Sequence, residues 1–233
     1  MKVAIMQPYF FPYIGYFQLI NAVDKFVIYD NIEYTKKGWI NRNRILKEGV
    51  DLMISLPLKK DSDFLFVNQR YLADDWSKSK QKLINSIKES YRKAPHFEDT
   101  FNLVQEIFND SNSNLFEFIL HSVLQTCKFI GIETEIIVSS TLDYNNELKS
   151  EEKVIAICKS IEATQYINSI GGVELYNKNN FSGQGIELNF IKSKPIIYNQ
   201  FKNEFVPWLS IIDVMMFNSK EVVSGFLNQK ELL

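Results

Sequence analysis

The N-terminal stretch Val3–Asn31 constrains the fold of this chain more than any other segment. A short apolar run of strand length, Val3–Met6, is followed by a loop rich in aromatic residues that begins at Gln7. Apolar residues at helical spacing then lead to a second apolar run of strand length, Phe26–Tyr29. Strand, loop, helix and strand in this order open a parallel α/β unit, so the stretch predicts a Rossmann-like parallel sheet.

Later segments continue the α/β alternation and add two further features. Apolar residues on both sides of a turn at Glu48-Gly49 indicate a β-hairpin extension. Helical periodicity between Asp75 and Gly131 predicts an all-helical insertion, 75–131, packed beside the sheet. Further elements are predicted at Phe64–Tyr71, Glu135–Ser139, Gln165–Asn168 and Glu187–Ile191 as strands, and at Ile211–Phe217 as a helix. We expect residues 1–233 to form a single domain that contains the helical insertion.

The composition is typical of a globular protein with a full core, and it argues against several classes. Hydrophobic residues make up 45% and charged residues 23% of the chain. A formal net charge of −2 argues against nucleic-acid binding, which needs a basic surface. Cys127 and Cys158 lie in apolar helical patterns, which favours buried thiols over a disulfide or a metal site.

The hydropathy pattern predicts a cytoplasmic protein. No stretch approaches the roughly 20 apolar residues that cross a bilayer. The N-terminus enters strand-like sequence at once, without the charged and apolar regions of a signal peptide. We therefore expect no membrane span.

The carboxyl ends of the first two predicted strands carry many functional side chains. Gln7, Tyr9 and Tyr13 follow the first strand, and Asp30 and Asn31 follow the second. Ligands of open α/β sheets bind outside the carboxyl ends of the strands. We therefore predict the binding site at this edge.

A segment dense in cationic, amide and aromatic groups follows directly. Its side chains are Tyr34, Lys36, Lys37, Trp39, Asn41, Arg42, Asn43 and Arg44. Arg42 and Arg44 share one face if the segment is a strand. These arginines either bind an anion or form a solvated basic edge that discourages strand pairing, and the two interpretations are balanced. The position directly after a strand end favours a functional role for the segment as a whole.

The double glycine Gly171-Gly172 follows the predicted strand Gln165–Asn168. Two residues without side chains let the backbone approach a phosphate or a sugar closely, although they are equally suited to an ordinary turn. Their position at a third strand end adds them, together with Tyr176, to the candidate site.

Several long motifs resemble the WbqC-like family over nearly the whole chain. They are QPYFFPYIGYFQLI, DKFVIYDN and GWINRNRI in residues 1–58, and INSIGGVELY and FVPWLSIIDVMMFN further on. The resemblance implies a protein of O-antigen or other surface-polysaccharide gene clusters. It also implies modification of an amino sugar by an acyl or aminoacyl group.

A more distant similarity concerns Tyr13-Ile14-Gly15-Tyr16. It lies where nucleotidylyl transferases and pantothenate synthetase, members of the HIGH superfamily, carry a His-x-Gly-His motif. In that motif the glycine lets a nucleotide lie against the start of the helix, and the histidines stabilise charge on the phosphates. Tyrosines carry no positive charge at neutral pH. The charge would have to come from Lys36, Lys37, Arg42 or Arg44.

These resemblances imply a transferase that joins an acyl or aminoacyl carboxylate, activated by ATP or by a carrier, to the amine of a nucleotide-linked sugar. The catalytic residues would be Tyr13, Tyr16 and Asp30, with Asp30 as the general base. The substrate-binding residues would be Gln7, Tyr9, Gly15, Asn31, Tyr34, Lys36, Lys37, Trp39, Asn41, Arg42, Arg44, Gly171, Gly172 and Tyr176. The arginines and glycines would hold the diphosphate, and the aromatic rings would stack on the base or the sugar.

Two other functions use the same groups. A nucleotide-sugar glycosyltransferase often holds a metal ion with carboxylates, and Asp61-Ser62-Asp63 is the one close pair here. A non-catalytic nucleotide-sugar-binding protein would use the aromatic loop mainly for packing, as expected for Phe10 and Phe11. No metal site is predicted, ATP is a possible cofactor, and the oligomeric state is left open.

Overall fold

The chain folds around a six-stranded sheet, and the computed structural model describes all residues from 1 to 233. The strands are β1 Lys2–Met6, β2 Lys25–Ile28, β3 Arg42–Lys47, β4 Val50–Ser55, β5 Glu135–Val138, β6 Gln165–Ser169, β7 Glu187–Ser193 and β8 Lys230–Leu232. The helices are α1 Ile14–Ile20, α2 Trp76–Tyr91, α3 Phe97–Phe108, α4 Leu115–Ile130, α5 Ser150–Ser160, α6 Lys178–Ser182, α7 Ile211–Phe217 and α8 Lys220–Phe226. The sheet order is β5-β2-β1-β6-β7-β8, and β3 pairs with β4 in a separate hairpin.

The sheet is parallel except for β8, which runs antiparallel to β7. From β1 the chain moves outward through β2 to β5, and it then returns to the other side of β1 to form β6 and β7. The order of the chain therefore reverses between β1 and β6. The prediction of an α/β fold with a mostly parallel sheet is confirmed, whereas β8 was not predicted.

The central strands are buried on both faces, as continuous apolar runs in parallel sheets indicate. Val3 and Ile5 of β1 pack against α5 in a small core cluster. Ala4 of the same strand and Phe26 of β2 belong to a cluster of 46 buried residues on the other face, with α1 and α7. Successive side chains of a strand point to opposite faces, so two helical layers cover the sheet.

The predicted hairpin is confirmed. Glu48 and Gly49 both have positive φ, 51° and 84°, and Lys47 pairs with Val50 across the turn. A two-residue turn with positive φ at both positions matches the twist of the flanking strands. Glycine adopts this conformation without strain at the second position.

Helices α2, α3 and α4 occupy the predicted helical stretch and share the large core with the sheet. Helix α4 begins at Asn114, whose side chain accepts a hydrogen bond from the backbone N–H of Glu117 at 3.2 Å. It ends at Gly131, which has a φ of 77°. The helices confirm the secondary structure of this stretch, and its reading as an insertion within one domain stays a prediction. None of the helices has the length and apolar composition that a membrane span requires.

The strand prediction for Phe64–Tyr71 is wrong. Only isolated bridges occur there, and Val67–Gln69 form a single 3₁₀ turn. The side-chain oxygen of Gln69 accepts a hydrogen bond from the backbone N–H of Phe66 at 3.0 Å. Such local bonds between a side chain and the backbone compete with the ladder of a sheet.

Both cysteines are buried free thiols, Cys127 in α4 and Cys158 in α5. Burial raises the pKa of each thiol to about 12. Because the thiolate is the reactive form, we expect neither cysteine to react with a thiol-specific dye at neutral pH in the folded protein. Two thiols should be titrated once denaturant is added. A dye that labels either cysteine rapidly in the native protein would contradict this prediction.

Candidate functional site

A cavity of about 480 Å³ lies at the carboxyl ends of β1, β6 and β7, and we call it the first cavity. It is located where the chain order reverses between β1 and β6, which is the usual ligand position in open α/β sheets. Its volume is in the range of small-molecule sites. Six residues from the predicted set line it, namely Tyr9, Tyr13, Gly15, Tyr16, Trp39 and Arg44.

The loop after β1 turns its phenylalanines inward and its tyrosines toward this cavity. Phe10 and Phe11 are fully buried, as the packing role predicted for them requires. The side-chain amide of Asn43 in β3 donates to the carbonyls of Phe10 and Phe11 at 3.1 and 2.7 Å. Phe11 has a φ of 42°, a conformation that costs a non-glycine residue about 1–3 kcal/mol. The hairpin therefore holds the loop in a strained shape.

Tyr13 folds its ring over the start of α1, and Gly15 provides the space. A Cβ atom on Gly15 would lie 2.3 Å from Cε1 of Tyr13 and 2.7 Å from its hydroxyl oxygen. Burial raises the pKa of Tyr13, while a hydrogen bond with Ser193 acts in the opposite direction. The Tyr13 hydroxyl is therefore protonated at neutral pH and can donate a hydrogen bond into the cavity. Its ring occupies the position that the HIGH resemblance assigns to a nucleotide.

Tyr16 is hydrogen-bonded to the backbone of the loop that follows β1. Its hydroxyl donates to the backbone carbonyl of Gln7 at 3.0 Å, and burial raises its pKa well above the usual value. The ring of Tyr9 lies 5.7 Å from that of Tyr16 and forms the adjacent wall. The side chain of Gln7 does not line the cavity.

Arg44 lines the first cavity, and one of its hydrogen-bond donors has no partner. One terminal nitrogen lies 3.2 Å from the carboxylate of Asp51, and the other donates to the carbonyl of Trp208 at 3.3 Å. The guanidinium lies 5.6 Å from the centre of the Trp39 ring. Its Nε is buried without a partner. A buried unpaired donor costs about 1–3 kcal/mol. Because this Nε has almost no accessible surface, a ligand acceptor would reach it only after the side chain moves.

Ten further residues line the first cavity, and three of those that the sequence reasoning missed matter most for binding: Lys192, Ser193 and Trp208. The Ser193 hydroxyl donates to the side-chain oxygen of Gln18 at 2.5 Å. The amide nitrogen of Gln18 donates to two backbone carbonyls, which fixes its orientation and leaves the Ser193 oxygen as an acceptor. Lys192 and Ser193 directly follow the predicted strand Glu187–Ile191, so the rule of strand ends could have identified them. No local sequence pattern identifies Trp208.

Asp30 and Asn31 follow β2, but they form a closed network outside the first cavity. Asp30 is 2% exposed, and its carboxylate accepts bonds from the Ser139 hydroxyl at 2.7 Å, the Ser140 N–H at 2.9 Å and the Asn68 amide at 2.7 Å. Asn31 is hydrogen-bonded to residues of the same loop after β5. This placement does not support Asp30 as a general base, because its oxygens already bind protein groups. Both residues instead connect β2 to that loop.

Most residues of the basic segment stabilise the loop that precedes the hairpin. Its residues outside the first cavity are Tyr34, Lys36, Lys37, Asn41 and Arg42. The Tyr34 hydroxyl donates to Asn41 at 2.8 Å, and Lys36 pairs with Asp63 at 2.7 Å. Arg42 donates to the carbonyls of Gly38 and Lys37. Arg42 is therefore occupied by the turn, and of the two predicted arginines only Arg44 reaches the cavity.

The double glycine lies beside the first cavity and does not line it. A Cβ atom on Gly172 would lie 2.9 Å from the side-chain nitrogen of Asn168, so this glycine serves internal packing. The two residues before the pair, Ser169 and Ile170, form the wall instead. Tyr176 packs on Tyr166 in the small core cluster, with ring centres 5.7 Å apart.

No group of three or more His, Cys, Asp and Glu side chains could hold a metal ion. The first cavity itself is lined by neither carboxylate nor histidine. Its charged groups are Arg44 and Lys192, so it is suited to an anionic ligand.

Comparison with known proteins agrees with the sequence motifs. The family model of the WbqC-like protein family matches residues 7–224. The chain is 28% identical over 221 residues to the uncharacterized protein Rv1507c of Mycobacterium tuberculosis, covering 93% of each protein. No solved structure matches. Because the family model spans nearly the whole chain, including every residue of the first cavity except Met6, the protein belongs to the WbqC-like protein family.

Proposed function

We propose that this protein is an enzyme of surface-polysaccharide biosynthesis that transfers an acyl or aminoacyl group to the amine of a nucleotide-linked sugar. The family is named after a protein of a surface-polysaccharide gene cluster. The observation that carries the proposal is a cavity at the reversal point of the sheet whose charged groups are Arg44 and Lys192 and which no carboxylate lines. The parallel strands follow the order of the Rossmann-like folds that bind nucleotides at this point.

The diphosphate of the substrate would bind Arg44 and Lys192. A guanidinium forms directed hydrogen bonds with phosphate oxygens, and no carboxylate in the cavity repels them. Trp39 contacts the guanidinium groups of both Arg42 and Arg44 and is 41% exposed, and its exposed part would stack on the base or the sugar. Since the ring of Tyr13 covers the start of α1, the nucleotide would lie against Trp39 rather than at the helix start.

The residues around the reacting amine would act by positioning and electrostatics. Arg44 and Lys192 would lower the pKa of the bound sugar ammonium and so favour the neutral, nucleophilic amine. The Ser193 oxygen would accept a hydrogen bond from that amine. The protonated hydroxyl of Tyr13 would turn from Ser193 and donate to the acyl oxygen as negative charge develops on it.

A non-catalytic nucleotide-sugar-binding protein is the second candidate. The observation in its favour is the absence of a carboxylate or histidine from the first cavity, which leaves no ordinary general base. Both candidates require the same anion site, and only the transferase forms an amide.

Alanine at Arg44 should weaken the binding of UDP-glucosamine about 10- to 100-fold. The reason is that hydrogen bonds to charged groups are each worth about 1.5–3 kcal/mol. Arg44→Lys keeps the positive charge but lacks the paired N–H donors of the guanidinium, so it should bind more tightly than Arg44→Ala and more weakly than the wild type. Isothermal titration calorimetry measures both variants, with Arg92→Ala on the exposed end of α2 as the matched control.

Unchanged affinity in Arg44→Ala, in a protein with wild-type circular dichroism, would refute the anion site. Mass spectrometry of UDP-glucosamine incubated with acyl donors distinguishes the two candidates. Appearance of the amide supports the transferase, and binding without any product supports the binding protein.

A further inference from the structure

A second cavity of about 490 Å³ lies beside the first. The two cavities share Tyr13, Lys192, Ser193 and Trp208. The rings of Tyr13 and Trp208 meet edge to face, with centres 5.2 Å apart. These two rings form a partition with one cavity on each side.

The second cavity, like the first, is lined mainly by apolar side chains. Nine of its fourteen lining residues are hydrophobic, among them Ile14, Ile196 and Val214. No carboxylate lines it, and its charged groups are Lys192 and Lys194 at one end. Lys194 lies 3.8 Å from Glu231, whereas Lys192 takes part in none of the ion pairs. An apolar chain with a polar or anionic head matches this distribution.

Trp208 is held in the partition at a conformational cost. Its φ is 61°, a left-handed conformation that costs a non-glycine residue about 1–3 kcal/mol, and its side chain is 62% exposed. Its carbonyl accepts a hydrogen bond from Arg44. The cation of the first cavity therefore helps to position a wall of the second.

We propose that the second cavity binds the hydrocarbon part of an acyl thioester, the acyl donor of the proposed reaction. This inference rests on the proposed function and adds the class of donor. An acceptor sugar in the first cavity and an acyl chain in the second meet at the partition, beside Tyr13 and Ser193. Two adjoining cavities that share donor and acceptor groups provide the proximity that a two-substrate reaction needs.

The transfer step balances without another reactant. The sugar nitrogen attacks the thioester carbonyl carbon, so that a C–N bond forms and the C–S bond breaks. The proton of the amine leaves with the thiol. No oxidation or reduction occurs.

A charge on the wall of the second cavity tests the proposal. Ile197 lines the cavity and is 73% exposed, so Ile197→Glu should fold normally. Its matched control is Leu175→Glu, since Leu175 is 69% exposed and lines neither cavity. We expect decanoyl-pantetheine to bind the wild type and the control equally, and to bind Ile197→Glu at least tenfold more weakly. Ile196→Trp, which fills the cavity from a half-buried position, should reduce binding in the same way.

Calorimetry with decanoyl-pantetheine and with UDP-glucosamine separates this inference from the proposed function. Equal binding of the thioester to wild type, Ile197→Glu and Ile196→Trp, or no binding to any of them, would overturn the inference. Both variants should keep their affinity for UDP-glucosamine. Failure of UDP-glucosamine to bind, with thioester binding that depends on Ile197, would refute the proposed acceptor and leave the acyl site standing.

Discussion

Replacement of Asp213 by alanine is expected to lower the free energy of unfolding by about 3 kcal/mol or more. The residue is fully buried in the first turn of α7. Its carboxylate accepts hydrogen bonds from the hydroxyls of Tyr91 and Tyr198, each at 2.7 Å, and from the amide of Gln200 at 2.6 Å. Alanine would leave three donors without an acceptor. Denaturant titration measures the loss, and the melting temperature should fall by about 6–12 °C.

The exposed residue Asp143 provides the control, since Asp143→Ala removes a carboxylate from a loop and should change the stability by less than about 0.5 kcal/mol. A similar small change in Asp213→Ala would show that the three donors find other partners. In that case the network would not hold α7 against the hairpin and the wall of the second cavity.

The same network predicts an unusual pH dependence. Burial raises the pKa of Asp213, and the hydrogen bonds from Tyr198, Tyr91 and Gln200 counteract this only in part. Since the folded-state pKa is above that of the unfolded chain, folding disfavours the ionised form. The stability contribution of this group is complete below the ordinary pKa and is lost as the pH rises through the raised pKa. Wild-type stability should therefore fall with rising pH in this window relative to that of Asp213→Asn.

Local sequence patterns predicted much of this fold because they determine local geometry. The apolar runs of β1 and β2 and the Glu48-Gly49 turn each depend on neighbouring residues, and all are present. Strand β8 has three residues and exists because it pairs with a distant strand, so no periodicity could reveal it. The strand predicted at Phe64–Tyr71 does not form, although its composition favours one. A local hydrogen bond between the Gln69 side chain and the backbone N–H of Phe66 competes there with the hydrogen bonds of a sheet.

The candidate site was predictable to the extent that strand ends determine it. The rule that ligands bind outside the carboxyl ends of parallel strands placed Tyr13, Trp39 and Arg44 at one edge of the sheet, and all three line the first cavity. It could not tell which strand ends are covered by a neighbouring loop, and the loop after β5 encloses Asp30. Trp208 reaches Tyr13 only through the tertiary fold, so the partition and the second cavity could not be inferred from the sequence.

Alanine at Gly15 should reduce the proposed acyl transfer about 100-fold while leaving the protein folded. The added Cβ would collide with the Tyr13 ring at 2.3 Å, and the ring must swing out of the partition. Displacing a group that contacts the reacting atoms by about 1 Å costs on the order of 10²-fold in rate. Amide formation from decanoyl-pantetheine and UDP-glucosamine, followed by mass spectrometry, gives the readout.

The matched control for Gly15→Ala is Gly225→Ala in α8, where a Cβ atom would meet nothing within 4 Å. That change should raise stability by up to about 1 kcal/mol, because alanine is the better helix former, and it should leave the rate unchanged. Tyr13→Phe separates the two roles of the tyrosine, since it keeps the ring in place and removes the hydroxyl. If the hydroxyl stabilises the developing negative charge, Tyr13→Phe loses rate without losing affinity for either substrate. If Gly15→Ala and Tyr13→Phe both retain the wild-type rate, Tyr13 takes no part in the reaction, and the partition only separates the two cavities.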